Sequence, residues 1–335
     1  MLREVTVEAG KARVHIRLTT PLCPSREEIR KSVEAAALRV AGVQEVEVAF
    51  SAQVARKSGP SPQRLPSVRN VIAVAAGKGG VGKSTVATNL AAALAQQGAS
   101  VGILDADVFG PSIPQMMGEA EVASGGAEGR IIPAVHYGIK VLSVGFFVER
   151  GAAVIWRGPM IHKLLTQFFE DVEWGELDYL VIDLPPGTGD TQLSLSQLVS
   201  VTGAVMVTTP QEVSIIDVEK ALAMWKKVEV PVVGVIENMS YFKCPSCGHE
   251  EEIFARGGGR RLAEREGLPF LGEIPMLSSV RGGGDAGKPI VLAEPESPVA
   301  QTFVAIARKV ACALSVRNLP DPGTAKRSSK LSVLK

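Results

Sequence analysis

Two textures of apolar and polar positions divide the chain. Over residues 1–50 the pattern is short and alternating. "VTVEAGKARVHIRLTT" reads as two strands about a glycine-containing turn, and "VQEVEVAF" as a third strand. Between them "CPSREEIRKSVEAAALRV" reads as a helix with an apolar stripe at Ile29, Val33, Ala36 and Val40. Ser25 and Glu28 have the spacing of a capping box at its start. The sum is a small α+β unit of order β-β-α-β. Residues 51–67 hold three prolines among polar residues and read as a linker.

From Val68 to Val316 apolar strands alternate with amphipathic helices, the mark of a mostly parallel sheet flanked by helices in an α/β domain. Strands are expected at 71–76, 100–105, 140–147, 179–184, 204–209, 232–237 and 270–274. Helices are expected from Ser84 to Gln97, Pro159 to Asp171, Thr191 to Val199, Ile215 to Val228, Arg260 to Glu266 and Ser297 to Val316. The last opens on Ser297-Pro298, a cap followed by proline at the first helical position. Residues 118–138 are Gly-rich and read as a surface hairpin or loop. Residues 317–335 read as a flexible tail.

Composition narrows the function classes. With 36 basic and 35 acidic residues the net charge is +1, which argues against a nucleic-acid partner. The basic cluster "KRSSKLSVLK" closes the tail and reads as a solvated end. Four cysteines are too few for a disulfide framework. The N-terminus has no signal-peptide apolar run, and no segment reads as a membrane span. The expectation is a cytoplasmic protein with no membrane partner.

One stretch carries clear chemistry. "AAGKGGVGKST" follows a strand and opens a helix, and Gly77 to Ser84 match the phosphate-binding pattern G-x-x-x-x-G-K-[ST]. Gly77, Lys78, Gly79, Gly80, Val81 and Gly82 would wrap backbone N–H groups around phosphate oxygens, with Thr85 in the first helical turn. Lys83 would reach the β- and γ-phosphates and Ser84 would hold Mg²⁺. Asp105, Asp107 and Asp183 end two other strands, so three carboxylates are expected at the same sheet edge. Asp183 is the expected outer Mg²⁺ ligand.

Lys78 is not needed for a minimal cradle. "KGGVGKS" resembles the deviant Walker motif of the MinD/ParA/nitrogenase iron-protein class. "GKGGVGKST", "DADVFGPSIP", "DLPPGTGD", "VIENMSYFKCPSCG" and "GGDAGKPI", in that order, resemble the Mrp/ApbC branch of that class, the P-loop iron–sulfur carrier ATPases. The likeness covers roughly residues 68–310. The N-terminal unit with "LTTPLCPSREEI" resembles the domain that precedes the ATPase in many members. There the family's unit usually opens with a further helix, and this chain starts at a strand.

The resemblance implies a slow, switch-like ATP hydrolase with ATP and Mg²⁺ as cofactors, working as a face-to-face homodimer. Lys78 would reach across that dimer to the partner's nucleotide. Asp107 would orient the attacking water, Asn238 would read adenine, and Pro275 with Met276 would pack on the base. It also implies iron–sulfur apo-proteins and cluster scaffold proteins as partners.

Cys244 and Cys247 form a C-x-x-C pair, two ligands where a [4Fe–4S] cluster or a zinc ion takes four. The resemblance implies that two copies supply the four thiolates of one bridging [4Fe–4S] cluster, which the dimer carries to apo-proteins. A structural zinc knuckle would use the same thiols. A further rival is a ParA/MinD-like positioning ATPase, which would need an amphipathic terminal helix or a basic face. Cys23, just before a helix start, reads as either a transient ligand or a small packed residue. Cys312, off its helix's apolar stripe, carries no assigned role.

Overall fold

The computed structural model describes residues 1–56, 64–118, 129–147 and 157–318. The middle of the expected linker, residues 119–128 of the Gly-rich stretch, residues 148–156 and the tail beyond Asn318 lie outside the described residues.

The N-terminal unit consists of β1 (Leu2–Glu8), β2 (Lys11–Leu18), α1 (Arg26–Ala37) and β3 (Glu45–Ala52). The sheet order is β1-β2-β3, with β1 antiparallel and β3 parallel to β2. Val14, Ile16, Leu18 and Val48 form its small core, with Ile29 and Val33 of α1 packed against it. Ser25 stands at the N-cap of α1, but its side chain makes no capping hydrogen bond. One helix covers only part of the sheet. An apolar cleft of about 580 Å³ stays open between β1 and α1, lined by residues such as Val5, Val7, Val14, Ile29 and Val33.

The second region contains β4 (Val68–Ala76), α2 (Lys83–Gln96), β5 (Val101–Asp105), α3 (Ile113–Met117), β6 (Ala134–His136) and β7 (Ile139–Ser143). Then come α4 (Gly158–Glu170), β8 (Leu177–Asp183), α5 (Asp190–Leu198), β9 (Gly203–Thr208), α6 (Glu212–Lys227) and β10 (Val232–Lys243). The order closes with β11 (Glu250–Glu251), α7 (Gly258–Arg265), β12 (Phe270–Met276), α8 (Ser278–Asp285), α9 (Ile290–Ala293) and α10 (Pro298–Asn318). The sheet runs β6-β7-β5-β8-β4-β9-β10-β12, and β11 pairs the outer end of β10. Among the described residues of this sheet, only β6 and β11 are antiparallel to their neighbours.

Strand β4 shows why the sheet is apolar throughout. Ile72, Val74 and Ala76 face a core shared with α2 and α10. Val71, Ala73 and Ala75 face a second core shared with α4, α5 and α6. A strand covered on both faces has no polar side to show.

Several elements differ from the sequence reading. The strand expected at 140–147 ends at Ser143 and curls into a 3₁₀ turn at Val144–Phe146. β10 runs six residues past its expected end at 237. Short elements α3, α8, α9, β6 and β11 were not expected. Helix α10 is long and apolar enough to cross a membrane by length and composition, which the sequence reading passed over. More than half of that apolar window is buried inside the protein, so its apolar character belongs to the core.

The N-terminal unit meets the amino edge of the large sheet. Thr20 Oγ1 lies 3.3 Å from the Tyr179 hydroxyl, near the start of β8. Leu22 and Val54 enter the main core. Ala55 O accepts from Asn70 at the start of β4 and from Asn318 at the end of α10. The nucleotide motif follows the other end of β4, which spans nine residues, about 30 Å at strand rise.

Candidate functional site

The loop 77–82 joins β4 to α2 at the carboxyl edge of the sheet, between strands β8 and β9. Gly82 caps α2 in a left-handed conformation (φ 78°), with no side chain blocking the helix N-terminus. Its position is tight as well as strained. A Cβ there would sit 2.2 Å from Asn238 Nδ2. The first turn of α2 holds no acidic residue, so its N–H groups and positive dipole end face the loop uncompensated.

Four of the expected side chains converge in the loop's hollow. Lys83 Nζ lies 2.6 Å from Asp183 Oδ1 and 3.5 Å from both Asp107 Oδ2 and Ser84 Oγ. Lys83 and Asp183 are buried. Burial pushes the Asp183 carboxyl up from its usual range, against the pull of Lys83. Its Oδ2 is buried with no hydrogen-bond partner. An orphaned carboxylate oxygen beside a phosphate loop and the Ser84 hydroxyl is a donor set that suits a hydrated Mg²⁺. Ser84 and Asp183 would hold it, and the ion would neutralise charge on the terminal phosphates.

Asp105 does a different job from its two companions. Its carboxyl accepts from the backbone N–H groups of Asp107, Ser112 and Ile113 and from the Ser143 hydroxyl, at 3.0–3.1 Å. It shapes the loop that carries Asp107 and does not face the hollow. Burial, with the Asp183 charge on the neighbouring strand, pushes its carboxyl up to about 7.

Asn238 sits on β10 and donates from Nδ2 to Val81 O at 2.8 Å, so its amide touches the phosphate loop. Beside it opens a pocket of about 250 Å³. Thr85, Met116, Met239, Pro275, Met276 and Leu277 line it. Its methionine and proline walls, with the amides of Asn238 and Gln115, fit a planar base. Lys78 is half-buried, next to the exposed Gly79 and Gly80.

The same strand ends at the thiols. Phe242 and Lys243 of β10 pair with Glu251 and Glu250 of β11, and the turn between them carries Cys244 and Cys247. Cys244 N donates to His249 O and Gly248 N to Cys244 O, both at 2.9 Å, closing a tight knuckle. The N–H groups of Cys247 and Ser246 point at the Cys244 sulfur and pull its thiol below the usual range. Among the described residues no group of three or more potential metal ligands gathers anywhere, so His249 does not complete a site with the two thiols.

Cys23 is not near this knuckle. It packs against the N-terminal core, while burial pushes the thiol of Cys312 on α10 above its usual range.

Comparison with known proteins decides the family. Residues 67–311 match the NUBPL iron-transfer P-loop NTPase family, and residues 1–48 match a family described as iron-sulfur cluster assembly protein. The chain belongs to the NUBPL iron-transfer P-loop NTPase family.

The iron-sulfur cluster carrier protein of Deinococcus radiodurans is 49% identical over 322 residues, 96% of this chain and 91% of that protein. A nucleotide-binding protein of Archaeoglobus fulgidus, solved with ADP, is 41% identical with a TM-score of 0.62. It covers 72% of this chain, and the match takes in 94% of that chain. The septum site-determining protein MinD of Pyrococcus horikoshii shares the fold, at 24% identity and a TM-score of 0.52 over 71% of this chain and 94% of its own.

This NTPase holds site residues that sequence reasoning missed. Gln192 donates to Pro185 O at 2.7 Å and Gly187 O at 3.0 Å, tethering the loop after Asp183. Arg256 lies 4.1 Å over the Tyr241 ring and pairs with Glu273 and Glu250, bracing the base of the knuckle. Glu237 is fully buried beside Asn238. These partners are far apart in sequence, and no local motif announces them.

Proposed function

We propose that this chain is a nucleotide-switched iron–sulfur cluster carrier that works as a homodimer in the cytoplasm. ATP would lie along the loop Gly77–Thr85 with its base in the pocket beside Asn238 and Pro275. Lys83 would neutralise the terminal phosphates, with Mg²⁺ at Ser84 and Asp183. Asp107, at the rim of the hollow, would orient water toward the γ-phosphorus; the bond from that phosphorus to the β–γ bridging oxygen breaks and ADP leaves. Lys78 would complete the partner's site.

The observation that carries the reading is the knuckle. Two thiols, one with its pKa lowered, stand in the turn that follows the strand touching the phosphate loop, and among the described residues no third ligand joins them. A two-fold axis supplies the missing pair at no cost in new sequence. The cluster is cargo, held between copies and passed to apo-proteins. Exposed apolar residues on several loops and helices support the face-to-face arrangement. Phe109, Leu193, Val213 and Ile216 are exposed on segments that flank the phosphate loop. The name carried by the Deinococcus radiodurans relative points to the same activity.

Anaerobic reconstitution with ferrous iron and sulfide tests the cargo. The expected product holds about four irons per dimer, one for each thiolate. Four irons in each separated monomer would refute the bridging arrangement, and stoichiometric zinc without iron uptake would favour a structural knuckle. Mixing Lys78→Ala with Asp107→Ala protein tests the shared nucleotide site. Each variant alone should be nearly inactive and the mixture should regain ATP hydrolysis. Silent heterodimers would remove the role in trans.

A further inference from the structure

Strand β10 connects the two sites, but not smoothly. Met239 has a left-handed backbone (φ 53°), and the pairing with β12 shifts register between Asn238 and Phe242. A bend in a strand leaves its outer end free to swing unless something spans it. Glu237 spans it. Its Oε1 accepts from Ser240 Oγ, beyond the bend, at 2.5 Å. The same oxygen accepts from Gly257 N at 2.9 Å, and Oε2 from Gly259 N at 2.6 Å.

Gly257 and Gly259 lie where the chain returns from the knuckle and enters α7. One buried carboxyl therefore stitches together the strand before the bend, the strand after it and the returning loop. There is little slack around it. A Cβ on Gly258 would meet Pro210 O at 2.3 Å, and one on Gly259 would meet Glu237 Cβ at 3.1 Å. Arg256 adds a second stitch between the two arms through Tyr241 and Glu273.

The next residue, Asn238, holds the phosphate loop through Val81 O. We propose that Glu237 is a positioning residue that transmits displacement of the phosphate loop to the thiol knuckle, so that nucleotide state sets the exposure and mutual placement of Cys244 and Cys247. The carboxyl touches neither nucleotide nor cluster and acts through the backbone it ties. This rests on the reading of the chain as a nucleotide-switched carrier.

The test reads knuckle motion directly. Cluster-free protein is alkylated anaerobically with iodoacetamide, with and without ATP and Mg²⁺, and the rates at Cys244 and Cys247 are followed by peptide mass spectrometry. In the wild type the nucleotide should change these rates several-fold. Glu237→Gln replaces one acceptor oxygen by an NH₂ group. It should abolish the change while leaving ATP affinity within about twofold and the Cys312 rate unaltered. A merely structural role would alter stability but not the ratio of rates with and without nucleotide.

If Glu237→Gln does not fold, Ser240→Ala, which removes one stitch, should at least halve the response. A full response in a folded Glu237→Gln, or in Ser240→Ala where Glu237→Gln is not obtained, overturns the proposal alone. A wild type that binds ATP yet shows no rate change overturns the nucleotide switch and the proposal with it.

Discussion

The molecule holds two pairs of cysteines at opposite edges of one sheet. Cys244 and Cys247 sit on a hairpin turn beyond the carboxyl edge, with backbone N–H groups aimed at the Cys244 sulfur. Cys23 and Cys312 lie toward the amino edge, where the N-terminal unit docks and where burial pushes the Cys312 thiol above its usual range. The residue type is the same and the surroundings shift Cys244 and Cys312 in opposite directions. A sulfur becomes a ligand where donors and water stabilise its charge, and a packing atom where neither is available.

The largest expected effect that separates the pairs is metal retention. In the proposed shared cluster, Cys244→Ala or Cys247→Ala would remove two ligands at once, so reconstituted iron should fall to background. Cys312→Ala and Cys23→Ser should keep it. Iron and sulfide analysis decides, and loss of iron in Cys312→Ala would erase the distinction. A smaller effect is intrinsic reactivity. In cluster-free protein at neutral pH, iodoacetamide should modify Cys244 at least about tenfold faster than Cys312. Equal rates by peptide mass spectrometry would mean that the backbone donors around Cys244 do not shape its chemistry.

The smallest effect concerns the amino edge as a whole. A form of the chain starting near Pro66 should fold and bind ATP with unchanged affinity. It loses the packing of Leu22 and Val54 and the Thr20–Tyr179 hydrogen bond. Its Tm should fall by several degrees, at about 2–4 °C per kcal/mol for a domain of this size. Failure to bind ATP would show that the N-terminal unit supports the distant site.

The parts legible in the sequence share a physical character. The phosphate loop, Asp183 at a strand tip and the C-x-x-C turn are set by local backbone geometry, so residue type and spacing announce them. Asp105 and Asp107 looked alike from sequence and are not. Which one faces the hollow depends on loop hydrogen bonds to Ser112, Ile113 and Ser143. The end of β10 was hidden because Glu237, Asn238 and Ser240 break an apolar run, although all three are buried and hydrogen-bonded. Helix α8 was hidden by Gly282, Gly283 and Gly284, poor helix formers, of which tight packing requires Gly283. A Cβ on Gly283 would meet Lys288 O at 2.7 Å.

The 2.2 Å gap between Asn238 Nδ2 and the missing Cβ of Gly82 also bears on how this site could change over generations. Neither position can drift alone. A methyl group at 82 evicts the amide, and a bulkier residue at 238 crushes the loop. Any descendant with a side chain at 82 must first shorten 238, and in doing so gives up the amide beside the base pocket. The two positions are therefore sterically coupled, and a substitution at one is expected to demand a compensating substitution at the other.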